Sequence, residues 1–475
     1  MPRVKDIPAG STSQTTRAAA GLRDDQPVAF LVKAFECHNP AAGPSRHILM
    51  PEAEVEIGRG ESAALRSRAG TCSRLELRVA DRTMSARHAR IRRIGALWVL
   101  EDLGSTNGTM VDGERIREKQ LEDGQVIELG STVLLFRETT TPGLLLDRKL
   151  SVAESSALAT LNPRLETAMD RLALIALSQL SVLVLGETGT GKEGVARAVH
   201  QLSRRPGPFV AVNAGAIPGP LLEAQLFGHV KGSFTGAVKD EVGFVRSAHT
   251  GTLFLDEIAD LPPSSQAALL RVLQEGEVTP VGSTRGVQVD VRIVAATHRD
   301  LTELMAGGHF RRDLYARLAG FSHTMPPLAE RREDLGLLIG ALLARHSGHS
   351  TATLEIEAAR ALFAYEFPLN IRELEQGLAA ALVLSGGEPI SVQHLPQAMQ
   401  GDARGSAPLR SSASSPPEAR SEDDERNYRA LVSALRDTRG NVSETARRLG
   451  KARQQIQRWL RRFELEPTAF RGADD

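Results

Sequence analysis

The stretch from Ser181 to Glu193 reads Ser-Val-Leu-Val-Leu-Gly-Glu-Thr-Gly-Thr-Gly-Lys-Glu. Its first half is a short apolar run, typical of a buried parallel strand. Gly186 to Lys192 then fit the spacing G-x-x-x-x-G-K of a phosphate-binding loop. The glycines allow successive backbone N–H groups to face one anion, and Lys192 adds a positive charge. A helix predicted over 194–202 points its positive end at the same place, so the stretch predicts a nucleotide site in an α/β fold.

The bulk composition limits the class of protein. The 475 residues predict two to four domains. The 58 basic side chains equal the 58 acidic ones, so charge has to be interpreted locally. The two cysteines, Cys37 and Cys72, are too few for a disulfide framework. No run approaches the roughly 20 apolar residues of a membrane span, and a signal peptide is not evident. We expect a soluble, cytoplasmic protein without a membrane partner.

An all-β pattern occupies the chain from Val28 to Phe136. Short apolar runs alternate there with turn signals such as Asp112-Gly113 and Asp123-Gly124. This pattern predicts a β-sandwich. Three of its loops carry unusual polar groups, and they read Gly58-Arg59, Ser85-Ala86-Arg87-His88 and Gly104-Ser105-Thr106-Asn107-Gly108-Thr109.

These loops and their spacing closely resemble the forkhead-associated (FHA) domain, which binds phosphothreonine peptides. An arginine with a hydroxyl suits a dianionic phosphate. The resemblance implies that Arg59 and Ser85 hold the phosphate, that Arg87 and Thr106 lie nearby, and that Asn107 grips the peptide backbone. The implied partner is a phosphothreonine protein or a Ser/Thr kinase. A sandwich used only for packing or oligomerisation is the alternative.

A second motif follows the phosphate loop by about 65 residues. Gly251-Thr-Leu-Phe-Leu-Asp-Glu-Ile258 is an apolar strand that ends in two carboxylates. A carboxylate at a strand tip can hold Mg²⁺ beside phosphates, and its neighbour can polarise a water. We assign Asp256 to the metal and Glu257 to the water. Acidic helix caps are the alternative interpretation.

Glu193 stands where the common phosphate loop has Ser or Thr. The form Gly-Glu-Thr-Gly-Thr-Gly-Lys-Glu resembles the AAA+ domain of bacterial enhancer-binding proteins, the activators of sigma-54 RNA polymerase. The similarity covers residues 162–399 and implies an α/β P-loop ATPase with a helical lid, using ATP and Mg²⁺. The nucleotide-binding residues that it implies are Gly186, Glu187, Thr188, Gly189, Thr190, Gly191, Lys192, Glu193, Thr297 and Arg372.

A glycine-flanked phenylalanine supports the same resemblance. Gly232, Ser233, Phe234, Thr235, Gly236 and Ala237 are similar to the family's loop that contacts the sigma factor. Ser233 replaces the common alanine. An exposed phenylalanine on such a loop makes sense as an apolar contact for a partner. A buried turn with Phe234 in the core is the alternative.

Further roles follow from the resemblance one residue at a time. Asn213 is implied as the switch residue that restrains Glu257, and Thr297, followed by His298, as the first sensor. Arg311 and Arg317 are implied as arginine fingers that enter the neighbouring subunit's site, which implies a homo-oligomeric ring, a hexamer or a heptamer. Arg372 is the implied second sensor. The departures from the family pattern are His298, Ala329, Phe367 and Leu369.

The carboxyl end is basic and helical in pattern. Residues 425–465 hold eleven basic and four acidic side chains, a net charge of +7. A predicted helix from Val442 to Leu449 and a second over 452–463 have helix-turn-helix spacing. The pattern resembles the Fis-type DNA-binding domain, which dimerises and implies enhancer DNA as partner. The recognition helix would present Arg453, Gln454, Gln455, Gln457 and Arg458. A basic solvated hairpin is the alternative.

The expected layout is therefore multidomain. A disordered arm (1–26) precedes an all-β FHA domain (27–138), a linker (139–161), the AAA+ domain (162–399), a second linker (400–424) and an all-α helix-turn-helix domain (425–465). The leading hypothesis is an ATP-driven sigma-54 activator under phosphothreonine control, a logic like that of two-component signalling. A repressor or scaffold with a weak or uncoupled ATPase, and an AAA+ protein-remodelling enzyme, are the alternatives.

Overall fold

The computed structural model describes residues 28–50, 53–69, 72–140, 146–153, 156–234, 237–346 and 352–401, together with 434, 438 and 442–449. The chain divides into two compact units, Met1–Leu409 and Arg410–Asp475. The predicted arm, nearly all of the second predicted linker and the predicted recognition helix lie outside the described residues. None of the described helices combines the length and the apolar character that crossing a membrane requires.

A two-sheet β-sandwich forms the first part of the first unit, which confirms the all-β prediction. Its strands, in chain order β1 to β13, are Val28–Glu36, Ser45–Leu49, Ala53–Arg59, Ala63–Ala69, Cys72–Val79, Ala89–Ile94, Leu97–Asp102, Thr109–Val111, Glu114–Ile116, Glu118–Gln120, Val126–Leu129, Thr132–Thr139 and Arg148–Lys149. One sheet has the order β13-β2-β1-β12-β11-β8-β9, and the other has the order β10-β7-β6-β3-β5-β4. The predicted linker thus contains β13, which extends the first sheet by pairing with β2.

The first sheet is covered on both of its faces. From Ala29 onward every residue of β1 is buried, without the alternation of a strand that has one wet face. Ala29 and Leu31 point into the sandwich core. Phe30 and Val32 belong to a second core on the opposite face. This second core is shared with helices more than 300 residues later in the chain.

The central α/β part follows the sandwich. Its strands β14 to β20 are Val182–Leu185, Phe209–Asn213, Thr252–Asp256, Glu277–Val278, Val287–Gln288, Arg292–Thr297 and Phe321–Thr324. Its helices α1 to α7 are Pro163–Ala176, Lys192–Ser203, Gly219–Phe227, Phe244–Ser247, Pro263–Glu275, Leu301–Ala306 and Arg312–Leu318. Five strands form a parallel sheet of order β15-β16-β19-β14-β20. Strands β17 and β18 form a separate hairpin.

Three helices then form the lid: α8 is Leu335–His346, α9 is Ile356–Ala364 and α10 is Asn370–Ser385. Their apolar faces meet the outer face of the first sandwich sheet in one continuous core. The α/β part packs its sheet between two other cores. The sequence therefore predicted the α/β unit and its lid, but not that the lid shares its core with the β-sandwich.

In the second unit, the structure describes one helix, α11, over Val442–Arg448. Its Thr445 is buried, and the Thr445 hydroxyl lies 2.7 Å from that of Thr438. The helix coincides with the first of the two predicted helices of the helix-turn-helix.

Candidate functional site

The phosphate loop runs from the end of β14 to the start of α2. Gly189 has a φ of +79° and lies so close to the lid that a Cβ there would be 2.2 Å from the carbonyl oxygen of Leu369. The Lys192 ammonium donates hydrogen bonds to the carbonyl oxygens of Gly186 (2.8 Å) and Glu187 (2.9 Å). Burial lowers the pKa of Lys192, and the charges of Glu257 and Asp256 oppose that shift. The loop therefore has the left-handed backbone and the buried cation of an anion site.

Three predicted loop residues make contacts within the protein. The Thr190 hydroxyl is buried and donates to the carbonyl oxygen of Glu187 at 2.9 Å. The Glu193 carboxylate is half-exposed and accepts two hydrogen bonds from Arg197 one turn later on α2. Thr188 offers its carbonyl oxygen to the lid. Glu193 is therefore in a helix-surface ion pair.

The strand-end carboxylates lie beside this loop. Burial and the charge of Glu257 raise the pKa of Asp256, while Lys192 opposes the shift. Glu257 has a φ of +51°, a left-handed conformation that is strained for a residue with a side chain. Its carboxylate contacts the next strand, where His298 Nδ1 lies 2.9 Å from both oxygens and the Thr297 hydroxyl lies 3.3 Å from one.

Asn213, the predicted switch residue, lies beside the strand-end carboxylates. Its amide nitrogen lies 3.4 Å from Asp256 Oδ2, and its side-chain oxygen accepts from the backbone of Ala216. Strand β15, which carries Asn213, pairs directly with β16, and this pairing brings Asn213 level with Asp256. The side chain that holds Glu257 is His298, which the sequence analysis treated as a departure.

The lid contacts the loop through a turn that the sequence analysis did not assign to the site. The buried Asn370 amide donates to the Glu187 carboxylate (3.0 Å) and to the Thr188 carbonyl oxygen (3.1 Å). Its oxygen accepts from the backbone N–H of Leu328 at 2.7 Å. Ile371 N–H donates to the Gly189 carbonyl oxygen, and Arg331 donates to that of Thr190. Asn370 has a φ of +58°. It stands two residues before Arg372, the implied second sensor, and this position in the sequence could have indicated it.

The implied arginines occupy three positions. Arg372, on the first turn of α10, is close enough to Lys192 for its charge to lower the lysine pKa further. Arg311 caps the start of α7 and forms a two-pronged pair with Asp313, at 2.7 and 3.0 Å. Arg317 lies exposed near the end of α7. Arg311 and Arg317 are therefore on one short surface helix.

The phenylalanine loop is clamped at its base. Ala237 N–H donates to the Phe234 carbonyl oxygen, and Gly232 N–H donates to that of Ala237. The Phe234 ring packs 5.0 Å from the His229 ring and is 37% exposed. Ser233 lies beside Gly282, on the segment that joins β17 to β18. The tip residues Thr235 and Gly236 lie outside the described residues, as do Arg453, Gln454, Gln455, Gln457 and Arg458.

In the β-sandwich, the three polar loops converge. The Ser85 hydroxyl accepts a hydrogen bond from Thr106 N–H at 3.1 Å and lies 3.4 Å from the Thr106 hydroxyl. Arg59, which is exposed, donates its backbone N–H to the Ser85 carbonyl oxygen. The Asn107 amide donates to the Thr83 carbonyl oxygen at 2.7 Å. Arg59, Ser85, Thr106 and Asn107 thus lie on one edge of the sandwich.

Arg87, on the same loop as Ser85, is engaged in an ion pair. Its guanidinium pairs with Glu56 at 3.0 Å on the outer face of the second sheet. Burial alone would raise the pKa of Glu56, but Arg87 and then Arg74 lower it. His88 is fully buried, and both of its ring nitrogens have partners. Its Nδ1 accepts from Ser85 N–H, and its Nε2 bonds the Gly108 carbonyl oxygen. Burial lowers the pKa of His88, which suits the neutral loop anchor that these contacts require.

A buried aspartate that the sequence analysis missed supports these loops. Asp81 accepts hydrogen bonds from Thr83 on one side, and from Ser131 N–H and the Thr132 hydroxyl on the other. Burial opposes ionisation of Asp81, but the bonds from Thr83 and Thr132 outweigh it and lower the pKa. The Asp-x-Thr spacing is a local turn signal. Its long-range partners follow only from the fold.

Comparisons with known proteins identify the domains that carry these residues. Three family models match the chain: the sigma-54 interaction domain over residues 158–323, the FHA domain over 55–130 and the AAA+ ATPase lid domain over 329–412. The transcriptional regulatory protein GlrR of Escherichia coli K12 is 41% identical over 320 residues, which cover 66% of this chain and 70% of GlrR. The response regulator protein PilR of Pseudomonas aeruginosa is 40% identical over 354 residues, which cover 73% of this chain and 77% of PilR.

Among solved structures, NtrX from Brucella abortus in complex with ADP is 31% identical to this chain, with a TM-score of 0.48. The matched region covers 65% of this chain and 70% of the NtrX chain. The family models place an ATPase and its lid on the residues that surround Lys192 and Glu257, and an FHA domain on the loops that surround Ser85. This chain therefore belongs to the family of sigma-54-dependent transcriptional regulators, and it is an AAA+ ATPase that carries an FHA domain.

Proposed function

We propose that the protein activates sigma-54 RNA polymerase by hydrolysing ATP in a homo-oligomeric ring bound to enhancer DNA, under the control of a phosphothreonine partner. The observation that carries this proposal is the joining of two features in one α/β body. A nucleotide site is built from Lys192, Asp256 and Glu257. A clamped loop in the same body presents Phe234, partly exposed, to a partner.

The chemistry of the nucleotide site suits Mg²⁺-ATP. The loop N–H groups and Lys192 would bind the phosphates, and Glu257 would orient and polarise the attacking water. Mg²⁺, when bound, neutralises phosphate charge, and Asp256 is the carboxylate that would hold it. The described residues contain no group of three or more His, Cys, Asp or Glu side chains placed to hold a metal. Mg²⁺ is commonly bound by one or two carboxylates together with substrate phosphates, so Asp256 can hold the ion without such a group.

ATP turnover by the purified chain tests this mechanism. Glu257→Gln is expected to lower kcat by about 10² or more while nucleotide still binds, because an amide cannot accept the water proton. Glu275→Gln, an exposed change at the end of α5, is the matched control. Absence of turnover in the unmodified chain under all conditions would favour the alternative, a DNA-binding repressor or scaffold whose ATPase is uncoupled.

Binding of sigma-54 in the presence of ADP and aluminium fluoride tests the phenylalanine loop. We expect Phe234→Ala to abolish this complex and to leave ATP hydrolysis intact, because Phe234 lies outside the nucleotide site. Val238→Ala removes a more exposed apolar side chain nearby (78% exposed) and serves as the control. Equal loss in both variants would argue against a specific contact. Retention of the complex by Phe234→Ala would exclude the loop as the sigma contact.

For the FHA domain we propose phosphothreonine binding at the loop edge, with Arg59 and Ser85 on the phosphate. Arg59→Ala and Ser85→Ala should each weaken binding of a phosphothreonine peptide by about tenfold or more, since a hydrogen bond to a charged group is worth about 1.5–3 kcal/mol. Arg92→Ala, on the outer face of β6, is the control. Equal affinity for phosphorylated and plain peptide would contradict the proposal.

We further propose that residues 425–465 bind enhancer DNA as a Fis-type domain, through Arg453, Gln454, Gln455, Gln457 and Arg458, and that the protein acts in the cytoplasm. The net charge of this segment, +7, supports phosphate contacts. Arg453→Ala and Arg458→Ala should lower affinity for DNA. A variant that loses affinity equally for all sequences removed a phosphate contact, and one that relaxes specificity removed a base contact.

A further inference from the structure

The FHA domain has a second interaction surface, away from the three polar loops that converge around Ser85. It is the outer face of the sheet that contains β1, β11 and β12, and we call it the docking face. Phe30, Val32, Phe35, Val133 and Leu135 are buried there. They share one core with α8, α9 and α10 of the lid. A sheet face with this much buried apolar surface belongs to the folded core of the chain, not to a loosely tethered arm.

Three charge pairs, each with one buried member, border the docking face. Glu128 on β11 is 2% exposed and binds the Arg360 guanidinium of α9 through two bonds of 2.6 Å. Glu333, just before α8, is buried and pairs with Arg137 of β12 at 2.6 Å. Arg46 of β2 is buried and reaches Glu166 of α1 at 2.7 Å. A buried charge left without its partner is strongly unfavourable, so these pairs hold one particular register of the two domains.

Backbone contacts make the fit close. Leu354 N–H of the lid donates to the Cys37 carbonyl oxygen at the end of β1, at 3.0 Å. Gly336 of α8 lies against β1, and a Cβ there would be 1.8 Å from the Ala34 carbonyl oxygen. The nearest atoms around this missing side chain all belong to Ala34 and Phe35. Gly336 is the second residue of α8, so the first turn of the helix carries a glycine at the point where the sheet approaches it.

The same lid core reaches the ATP site. Leu328, Phe367 and Leu374 belong to it together with the docking face. Phe367 and Leu374 flank Asn370 and Ile371 in the sequence, and Leu328 donates its N–H to the Asn370 side chain. Asn370 and Ile371 in turn bond to the carbonyl oxygens of Thr188 and Gly189. We propose that the FHA domain is a structural half of the lid: its docking face holds α8 to α10 in place over the phosphate loop, and nucleotide affinity depends on that contact.

A wedge at Gly336 tests this inference in the full chain. Gly336→Leu inserts bulk against Ala34 without changing charge, and Ala344→Leu inserts the same bulk at an exposed position of the same helix. Affinity for ADP, titrated with a fluorescent ADP analogue, should fall about fivefold or more in Gly336→Leu, the low end of measured coupling energies. It should change less than about twofold in Ala344→Leu. Unchanged or tighter binding in Gly336→Leu overturns the proposal.

A charge exchange keeps the test decisive if the wedge variant does not fold. Arg360→Glu places two carboxylates together at the docking face and should weaken ADP binding as the wedge does. The double variant Glu128→Arg with Arg360→Glu restores an opposite pair and should recover most of the affinity. Failure of the double variant to improve on Arg360→Glu would show that the pair does not act through docking.

The docking face and the phosphopeptide loops are joined by Asp81, which bonds Thr83 in the loops and Ser131 beside β1. A phosphopeptide effect on ADP affinity would follow this route, and that extension rests on the phosphothreonine binding proposed above. Arg59→Ala should lose peptide binding and keep ADP affinity, whereas Gly336→Leu should keep peptide binding and lose ADP affinity. If the unmodified chain binds no phosphothreonine peptide, the proposed ligand is wrong, and the ADP titrations still decide the role of docking.

Discussion

His298 Nδ1 lies 2.9 Å from both carboxylate oxygens of Glu257, so a side chain at the end of β19 holds the group that would polarise the attacking water. Asn213, for which the family resemblance implies control of Glu257, has its amide nitrogen 3.4 Å from the neighbouring Asp256 carboxylate. Since β19 and β15 flank β16 on opposite sides, the two candidates approach its end from opposite directions.

His298→Ala is expected to lower kcat for ATP hydrolysis about tenfold, equivalent to about 1.4 kcal/mol in the barrier, because Glu257 loses its fixed orientation. The Michaelis constant should change little. His298→Asn, which keeps a hydrogen-bond donor, should recover much of the rate. Steady-state kinetics on both variants check this. A larger loss in Asn213→Ala than in His298→Ala would restore Asn213 as the residue that controls Glu257.

Two substitutions of Asn370 separate the effect of its hydrogen bonds from the effect of its left-handed backbone. Asn370→Gly removes the bonds to Glu187, Thr188 and Leu328 but tolerates the φ of +58°. Asn370→Ala removes the same bonds and also costs about 1–2 kcal/mol for a left-handed alanine. We expect both variants to bind ADP about tenfold more weakly, the effect of about 1.4 kcal/mol. Only the alanine variant should show the additional loss in thermal stability, and equal melting temperatures would contradict this.

The pair of Arg137 and Glu333 is expected to make the stability of an Arg137 variant depend on pH. Burial raises the pKa of Glu333, and Arg137 is the first charge that opposes the rise. Arg137→Ala should cost about 3 kcal/mol near neutral pH, because it leaves a buried carboxylate without its partner. With its folded pKa raised, Glu333 binds its proton more tightly in the folded state, so the stability of the variant falls as pH rises. Thermal unfolding of the variant and the parent chain should therefore differ more at pH 8 than at pH 5.

The stability that Asp81 contributes is expected to have the opposite pH dependence. Its hydrogen bonds lower its pKa, so the stability it contributes is present above the unfolded pKa, about 3.9, and is lost as pH falls through the folded value. Asp81→Asn should cost about 2 kcal/mol at pH 7, as expected for buried bonds to a charged group. The difference should shrink below about pH 4. Fluorescence of Trp98 in the sandwich core, in a Trp459→Phe background, would follow the unfolding. A pH-independent difference would argue for a neutral Asp81.

Sequence reasoning identified the ATPase and the FHA domain because the motifs of each domain are local. The phosphate loop, the strand ending in Asp256 and the three sandwich loops are each contiguous stretches, so their spacing predicted the two domains. The docking face was not predicted, because its contacts join residues more than 200 positions apart, such as Glu128 and Arg360. Yet Ala29-Phe-Leu-Val32 and Val133-Leu-Leu-Phe136 carry a signal: a strand with one wet face alternates, whereas these runs are continuously apolar. The engagement of His298 was missed because a motif gives residue types, not the side from which they approach.

The burial of β1 on both faces bears on how such proteins diversify. A regulatory domain joined by a free tether can be exchanged for another during evolution, or deleted in the laboratory, without harm to the motor. Here the sandwich supplies Phe30, Val32 and Leu135 to the lid's own interior. Removing it would expose the apolar side of α8 and α9, so a truncated motor would lose activity through collapse of the lid, whatever signal the FHA domain carries. Exchange of this module requires that the lid helices change with it.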